Sequence, residues 1–289
     1  MSQEHYSFAV HEWYQSLLVA ILVVSSVSAA AFLAWRIFTR PVRFREMAMR
    51  LESSPWTPNH AGLVLCCLLF GMSIMILLFG AAARAGRDID SAPAYLGLAL
   101  SVAFFHLPGL VGILLISRKG NISLADGFGF ERRLFGRNVL QGAIFALGIL
   151  PLVVGVAAMY DPLLRHFGVE GDLQPALRMI LDAAQAPWFA RLSVGILAIV
   201  VVPAIEELVF RGILFPVVAK KIGMIPAILA VSLTFAILHQ DVPTYAPLFV
   251  LSTGLCMAYA YSSSIIVPIL MHSTFNLIQI ALLSLVDIR

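Results

Sequence analysis

Apolar residues fall along this chain in long, nearly unbroken blocks, at about 16–38, 60–83, 94–116, 138–160, 191–218, 223–240, 245–261 and 264–286. A helix rises about 1.5 Å per residue, so about 20 apolar residues carry it across the hydrocarbon core of a bilayer. The pattern therefore predicts an all-α fold, a polytopic transmembrane helix bundle of about eight spans.

The polar segments between the blocks differ in charge. Those at 39–59 and 117–137, taken with Arg36 and the pair Lys220 and Lys221, hold twelve of the nineteen Lys and Arg residues (five, five and two). Basic residues stay on the cytoplasmic side of a bilayer, which assigns these three connections to that side and both termini to the other. Arg211 lies within a span. Trp13, Tyr14, Trp35, Trp56 and Trp188 fall near span ends and read as interfacial anchors. The first apolar run has no basic stretch before it and is followed by Arg36, Arg40, Arg43 and Arg45, so it reads as a retained anchor rather than a cleaved signal. The charge distribution suits a bacterial inner membrane.

Composition sharpens this picture. Of 289 residues 60% are hydrophobic and 12% charged, with a mean hydropathy of +0.92. Soluble domains carry about a quarter charged residues, which excludes a soluble enzyme. The net charge of +3 is small and its basic residues serve topology, leaving no nucleic-acid partner. Cys66, Cys67 and Cys256 sit in apolar runs without the spacing of a zinc knuckle or a disulfide framework, and read as packing residues.

The longest polar interruption on the outer side is 161–190, where Leu177, Ile180 and Leu181 recur at helical spacing over about 175–186. An amphipathic surface or re-entrant helix is expected there, either inert or acting as a lid.

Candidate chemistry lies in the ionisable residues within the apolar blocks, since a charge at mid-bilayer costs a few kcal/mol and marks a functional site by default. In "PAIEELVFRGILFP" Glu207 and Arg211 are four apart and share a helix face, so they are expected to pair. Glu206 points about 100° away and is expected to stand unpaired. An unpaired carboxylate in dry surroundings holds its proton more tightly, which suits it to general-base work near neutral pH. In "HSTFN" His272 and Asn276 share one face of the last span, and His239 closes "FAILH" in the sixth. His106, before Pro108 in the third span, reads as packing and is given no chemistry. No G-x-S-x-G elbow and no H-E-x-x-H helix occurs. One difficulty is visible. Counted from the inner face, His239 lies about 17 residues deep and His272 about 8, levels more than about 10 Å apart in straight helices. The break "QDVPTYAP" is expected to dip inward and so bring the two together.

Taken together, "EELVFRG", "FAILH" and "HSTFN" resemble the motif set of the CAAX protease and bacteriocin-processing family, the CPBP intramembrane proteases. The likeness runs over about 135–285 and divides the chain into 1–130, transmembrane helices with basic connections, and 131–289, a protease core. It implies an all-helical intramembrane endopeptidase with its active site inside the membrane. Its substrate would be a peptide or a prenylated or otherwise lipid-modified protein tail, met at the membrane lipid. By this resemblance Glu206 and His239 activate the attacking water, His272 and Asn276 stabilise the oxyanion, and Glu207 and Arg211 hold the helix and the substrate end. The family is often labelled metalloprotease, and a second version binds a divalent metal such as Zn²⁺ through Glu206, His239 and His272. The alternatives of another class are a proton- or ion-coupled transporter and a non-catalytic scaffold of the same fold.

Overall fold

A computed structural model of the protein describes residues 3–39, 44–84, 99–169 and 187–285. The segment 175–186 and the side chains of Trp13 and Tyr14 lie outside the described residues. The fold is all helical among the described residues. Six helices are long and apolar enough to cross a membrane: Ser16–Arg36, Pro58–Ala81, Ala99–Lys119, Arg132–His166, Trp188–Ile222 and Val242–Ser262. Two shorter apolar helices, Met224–Leu238 and Ile266–Leu282, complete the set. Each of the eight apolar runs is occupied by one of these helices, and the protein is an integral, multi-pass membrane protein.

In chain order the α-helical elements are α1 (Gln3–Thr39), α2 (Phe44–Glu52), α3 (Pro58–Arg84), α4 (Leu107–Lys119), α5 (Leu124–Phe128), α6 (Phe135–His166), α7 (Trp188–Ile196), α8 (Val202–Glu207), α9 (Phe215–Ile222), α10 (Met224–Leu238), α11 (Tyr245–Ser262) and α12 (Ile266–Leu285). Helix α6 packs against α1, α11 and α12. Its Gly142 meets the Val267 carbonyl of α12, where a Cβ would lie 2.9 Å from the oxygen. A cluster including Leu150, Leu251, Leu255, Val267, Met271 and Phe275 fills this half. The other cluster joins Met47, Trp56, Val64 and Ile113 to Ile205, Phe210, Phe235 and Ile265, so early and late spans share one core.

Two spans depart from the α-helix. Val102–His106 in the third span, and Leu197–Val201 and Leu208–Leu214 in the fifth, are π-helical. Each is closed by a five-residue backbone bond, from Leu107 to the Val102 carbonyl, Val202 to Leu197 and Phe215 to Phe210. Each is also followed by a proline, Pro108, Pro203 or Pro216, in the first two positions of the next α segment. Proline lacks the N–H and its ring collides with the carbonyl four residues back, so the ordinary ladder is interrupted there and the wider turn accommodates the break. Pro151 and Pro162 lie inside α6 without such a stretch, so packing also has a say. For the first stretch that packing is visible. A Cβ on Gly71 would lie 1.7 Å from the Phe104 carbonyl oxygen, so only glycine lets α3 run against the widened turn.

The basic connections meet at one end of the bundle. Lys220 donates to the carbonyls of Ser54 and Trp56, Arg50 donates to Ser263 at 2.9 Å, and the Ile265 amide donates to the Phe128 carbonyl at 2.9 Å. Trp56 corrects its sequence reading. Far from anchoring at an interface, it is 0% exposed, packs on Phe128, and donates Nε1–H to the Gly127 carbonyl at 2.8 Å. Proximity to a span end does not distinguish a ring facing lipid from one plugging the gap between two connections. Trp35 and Trp188 are exposed, as an interfacial position requires.

Candidate active site

The centre of the molecule is α8, a short α segment held between the two π-helical stretches of the fifth span. Its last two residues, Glu206 and Glu207, diverge by about 100° and so meet different surroundings. Glu207 turns inward and is 0% exposed. Its Oε1 accepts from Arg211 Nη1 at 2.8 Å, the predicted i,i+4 pair. Arg211, also 0% exposed, donates Nη2–H to Ser252 Oγ on α11 at 2.6 Å and lies 4.6 Å from the Phe235 ring centroid. Each charge has a counter-charge and a second partner, the condition under which a buried ion pair is tolerated.

The same Glu207 oxygen lies 2.8 Å from Nδ1 of His272 on α12. An ionised carboxylate only accepts, so Nδ1 carries the hydrogen and Nε2 is turned the other way. There it faces Glu206, with 4.0 Å from His272 Nε2 to Oε2. The other oxygen, Oε1, lies 3.5 Å from Nε2 of His106. The expectation that Glu206 stands unpaired is thus corrected. It has no partner on its own helix, but imidazoles from the third and last spans flank it. Spacing within one helix reports only that helix, and partners from other spans are settled by packing. His106, read as a packing residue, is the member of the cluster that sequence reasoning missed. The available signal was that an ionisable side chain within a span is a functional-site candidate by default.

His239 follows the end of α10 and is exposed. Its Nδ1 lies 2.8 Å from the Phe235 carbonyl, which can only accept, so Nε2 is left with its lone pair free in the neutral ring. The His239 and His272 rings both pack on Phe235, with centroids at 4.7 and 6.0 Å. His272 contacts Phe235, one turn before His239, and α10 itself has 15 residues, about 22 Å of rise against a core of about 30 Å. Asn276, one turn beyond His272, donates Nδ2–H at 2.9 Å to the Ala198 carbonyl inside the π-helical stretch Leu197–Val201. One amide hydrogen is therefore spent between helices.

This constellation occupies one continuous stretch of sequence apart from His106, and that stretch is recognisable. Residues 187–278 match the family model of the type II CAAX prenyl endopeptidase Rce1-like proteins. Over this stretch the chain is similar to that family. No curated protein and no solved structure matches the chain. The Rce1-like segment begins at α7 and ends within α12, so it contains Glu206, Glu207, Arg211, His239, His272 and Asn276. His106 and the four spans before α7 lie outside it. The likeness implies, in general terms, protease activity of the CAAX type on a membrane-associated protein or peptide.

Among the described residues no group of three or more His, Cys, Asp and Glu side chains is placed so that it could hold a metal ion. The set Glu206, His239 and His272 does not form such a group.

Proposed function

We propose that the protein is an intramembrane endopeptidase that hydrolyses a peptide bond in a membrane-associated peptide or lipid-modified protein tail, with Glu206 as its central base. The observation that carries this reading is the contrast between two adjacent carboxylates. Glu207 is neutralised by Arg211 at 2.8 Å and sealed off, whereas Glu206 is 16% exposed and faces imidazole nitrogens at 3.5 and 4.0 Å. A purely structural acid would be closed into an ion pair as Glu207 is.

Water beside Oε2 gives up a proton to Glu206, assisted by the free Nε2 of His239, as its oxygen adds to the scissile carbonyl. The negative charge that develops on the carbonyl oxygen is met by His272, once its Nε2 is protonated, and by the remaining Asn276 amide hydrogen. Glu207 fixes the His272 ring through Nδ1, as a triad carboxylate does for its histidine. The proton held by the base then passes to the leaving nitrogen, the C–N bond breaks, and a new carboxylate and amine leave. Arg211 and Glu207, without accessible surface, act as supports of His272 and Phe235 rather than as contacts to substrate. Water reaches this depth beside the exposed His239 at the end of the short α10. We assign the basic end of the bundle to the cytoplasmic side of a bacterial inner membrane, and residues 131–289 to the protease core.

The test is cleavage of quenched lipid-modified and unmodified peptides by the purified chain in detergent. Glu206→Gln and His239→Ala are each expected to abolish it, and unchanged cleavage in either variant overturns the assignment. The same assay after exhaustive chelation separates water activation by side chains alone, which keeps full activity, from the metal-dependent version, which loses it.

A further inference from the structure

The matched segment does not complete the cluster around Glu206. His106 reaches it from the third span, and its surroundings are built in a way that packing alone does not require. The residue is 7% exposed, and its Nε2 is buried without a hydrogen bond among the described residues, with Glu206 Oε1 3.5 Å away. Its Nδ1 lies 3.2 Å from the Ser101 carbonyl, which can only accept, so the ring is oriented with Nε2 toward the carboxylate. The Phe105 ring meets it edge-on at 5.2 Å. Burying a polar nitrogen with nothing to answer it costs free energy, so a site that only needed volume would be better filled by an apolar side chain. Beneath the ring, Pro108 breaks the ladder and Gly71 admits the displaced Phe104 carbonyl, and together they allow the π-helical stretch that ends on His106.

We propose that His106 is a positioning residue for Glu206: it holds Oε1, so that Oε2 stays turned toward His272 and the attacking water. This inference rests on the proteolytic reading above. Besides His106, the groups acting on Glu206 are His272 from the last span and His239 at the end of the sixth, while the nearby charges of Glu207 and Arg211 cancel in their own ion pair. With Nδ1 donating to Ser101, the ring holds Oε1 through its second nitrogen, Nε2. The first three spans then supply a wall of the active site rather than an appendage, and a fragment beginning at α6 would lack it.

The experiment uses the full chain, purified in detergent, on a quenched peptide that the wild type cleaves and Glu206→Gln does not. His106→Phe keeps a ring of similar size and removes the nitrogen; kcat is expected to fall about 100-fold, with KM within about threefold of wild type. His106→Gln can place an amide N–H near the position of Nε2, whereas His106→Asn reaches only as far as Nδ1. The glutamine variant is expected to exceed the asparagine variant in kcat by about tenfold. A packing role predicts the opposite order, with phenylalanine the best tolerated. Wild-type kcat in His106→Phe, equal kcat in the glutamine and asparagine variants, or a loss confined to KM each overturns the proposal. If His106→Phe does not elute as the wild type does, the glutamine and asparagine pair decides by itself. Activity retained by Glu206→Gln, or none in the wild type, overturns the proteolytic reading and this inference with it, whereas a dead Glu206→Gln beside a fully active His106→Phe overturns this inference alone.

Discussion

His272 and Glu207 are joined by a 2.8 Å contact between Nδ1 and Oε1, across 65 positions of sequence. The same oxygen receives Arg211 Nη1 at 2.8 Å, and Arg211 continues to Ser252 at 2.6 Å. One carboxylate therefore ties the fifth span to α11 and α12 and fixes which nitrogen of His272 looks toward Glu206. Removal of any member should be felt both in stability and in the orientation of that ring.

Arg211→Leu strands the buried Glu207 charge. The expected cost is about 3–5 kcal/mol, because an uncompensated ion in a dry interior loses its hydration without a counter-charge. Thermal unfolding in detergent measures it. The double variant Arg211→Leu with Glu207→Leu is expected to recover a large part of the loss, since neither charge is then left alone.

Asn276 has two jobs that can be separated. Its observed bond to the Ala198 carbonyl is interhelical, and Asn276→Leu should lower stability by about 1 kcal/mol through its loss. If its second amide hydrogen also meets the oxyanion, kcat falls by about 10²- to 10³-fold in addition, with KM nearly unchanged. Steady-state kinetics beside a melting curve distinguish the two.

Pro108→Ala restores an N–H opposite the Phe104 carbonyl and removes the local cause of the π-helical turn. The melting temperature is expected to stay or rise, while kcat falls more than about tenfold as His106 turns away from Glu206. A stabilised and fully active variant would show that the turn is maintained by packing against Gly71 alone.

Trp56→Ala acts at the other end of the molecule. It empties a fully enclosed site and removes the bond to Gly127, at an expected cost of about 3–5 kcal/mol in unfolding free energy. Under conditions where the variant is folded, kcat should match the wild type, because Trp56 belongs to the basic end, where its ring packs on Phe128 and bonds to Gly127.

The sequence by itself determined the class of molecule and most of its parts. Eight apolar runs became helices because a bilayer-length block of Leu, Val, Ile and Ala has no other way to satisfy its backbone in lipid, and this holds span by span, before any packing. The Glu207–Arg211 pair was legible for the same reason, being contained in one turn of one helix. What only the tertiary structure decided involves contacts between spans. Two imidazoles flank Glu206, Trp56 is sealed in the core, and His239 and His272 share Phe235, and no periodicity within a single helix encodes those distances. The π-helical turns stand between the two cases. Their prolines are written in the chain, but a break in the hydrogen-bond ladder becomes a turn of given width only when a neighbour such as Gly71 makes room for the displaced carbonyl.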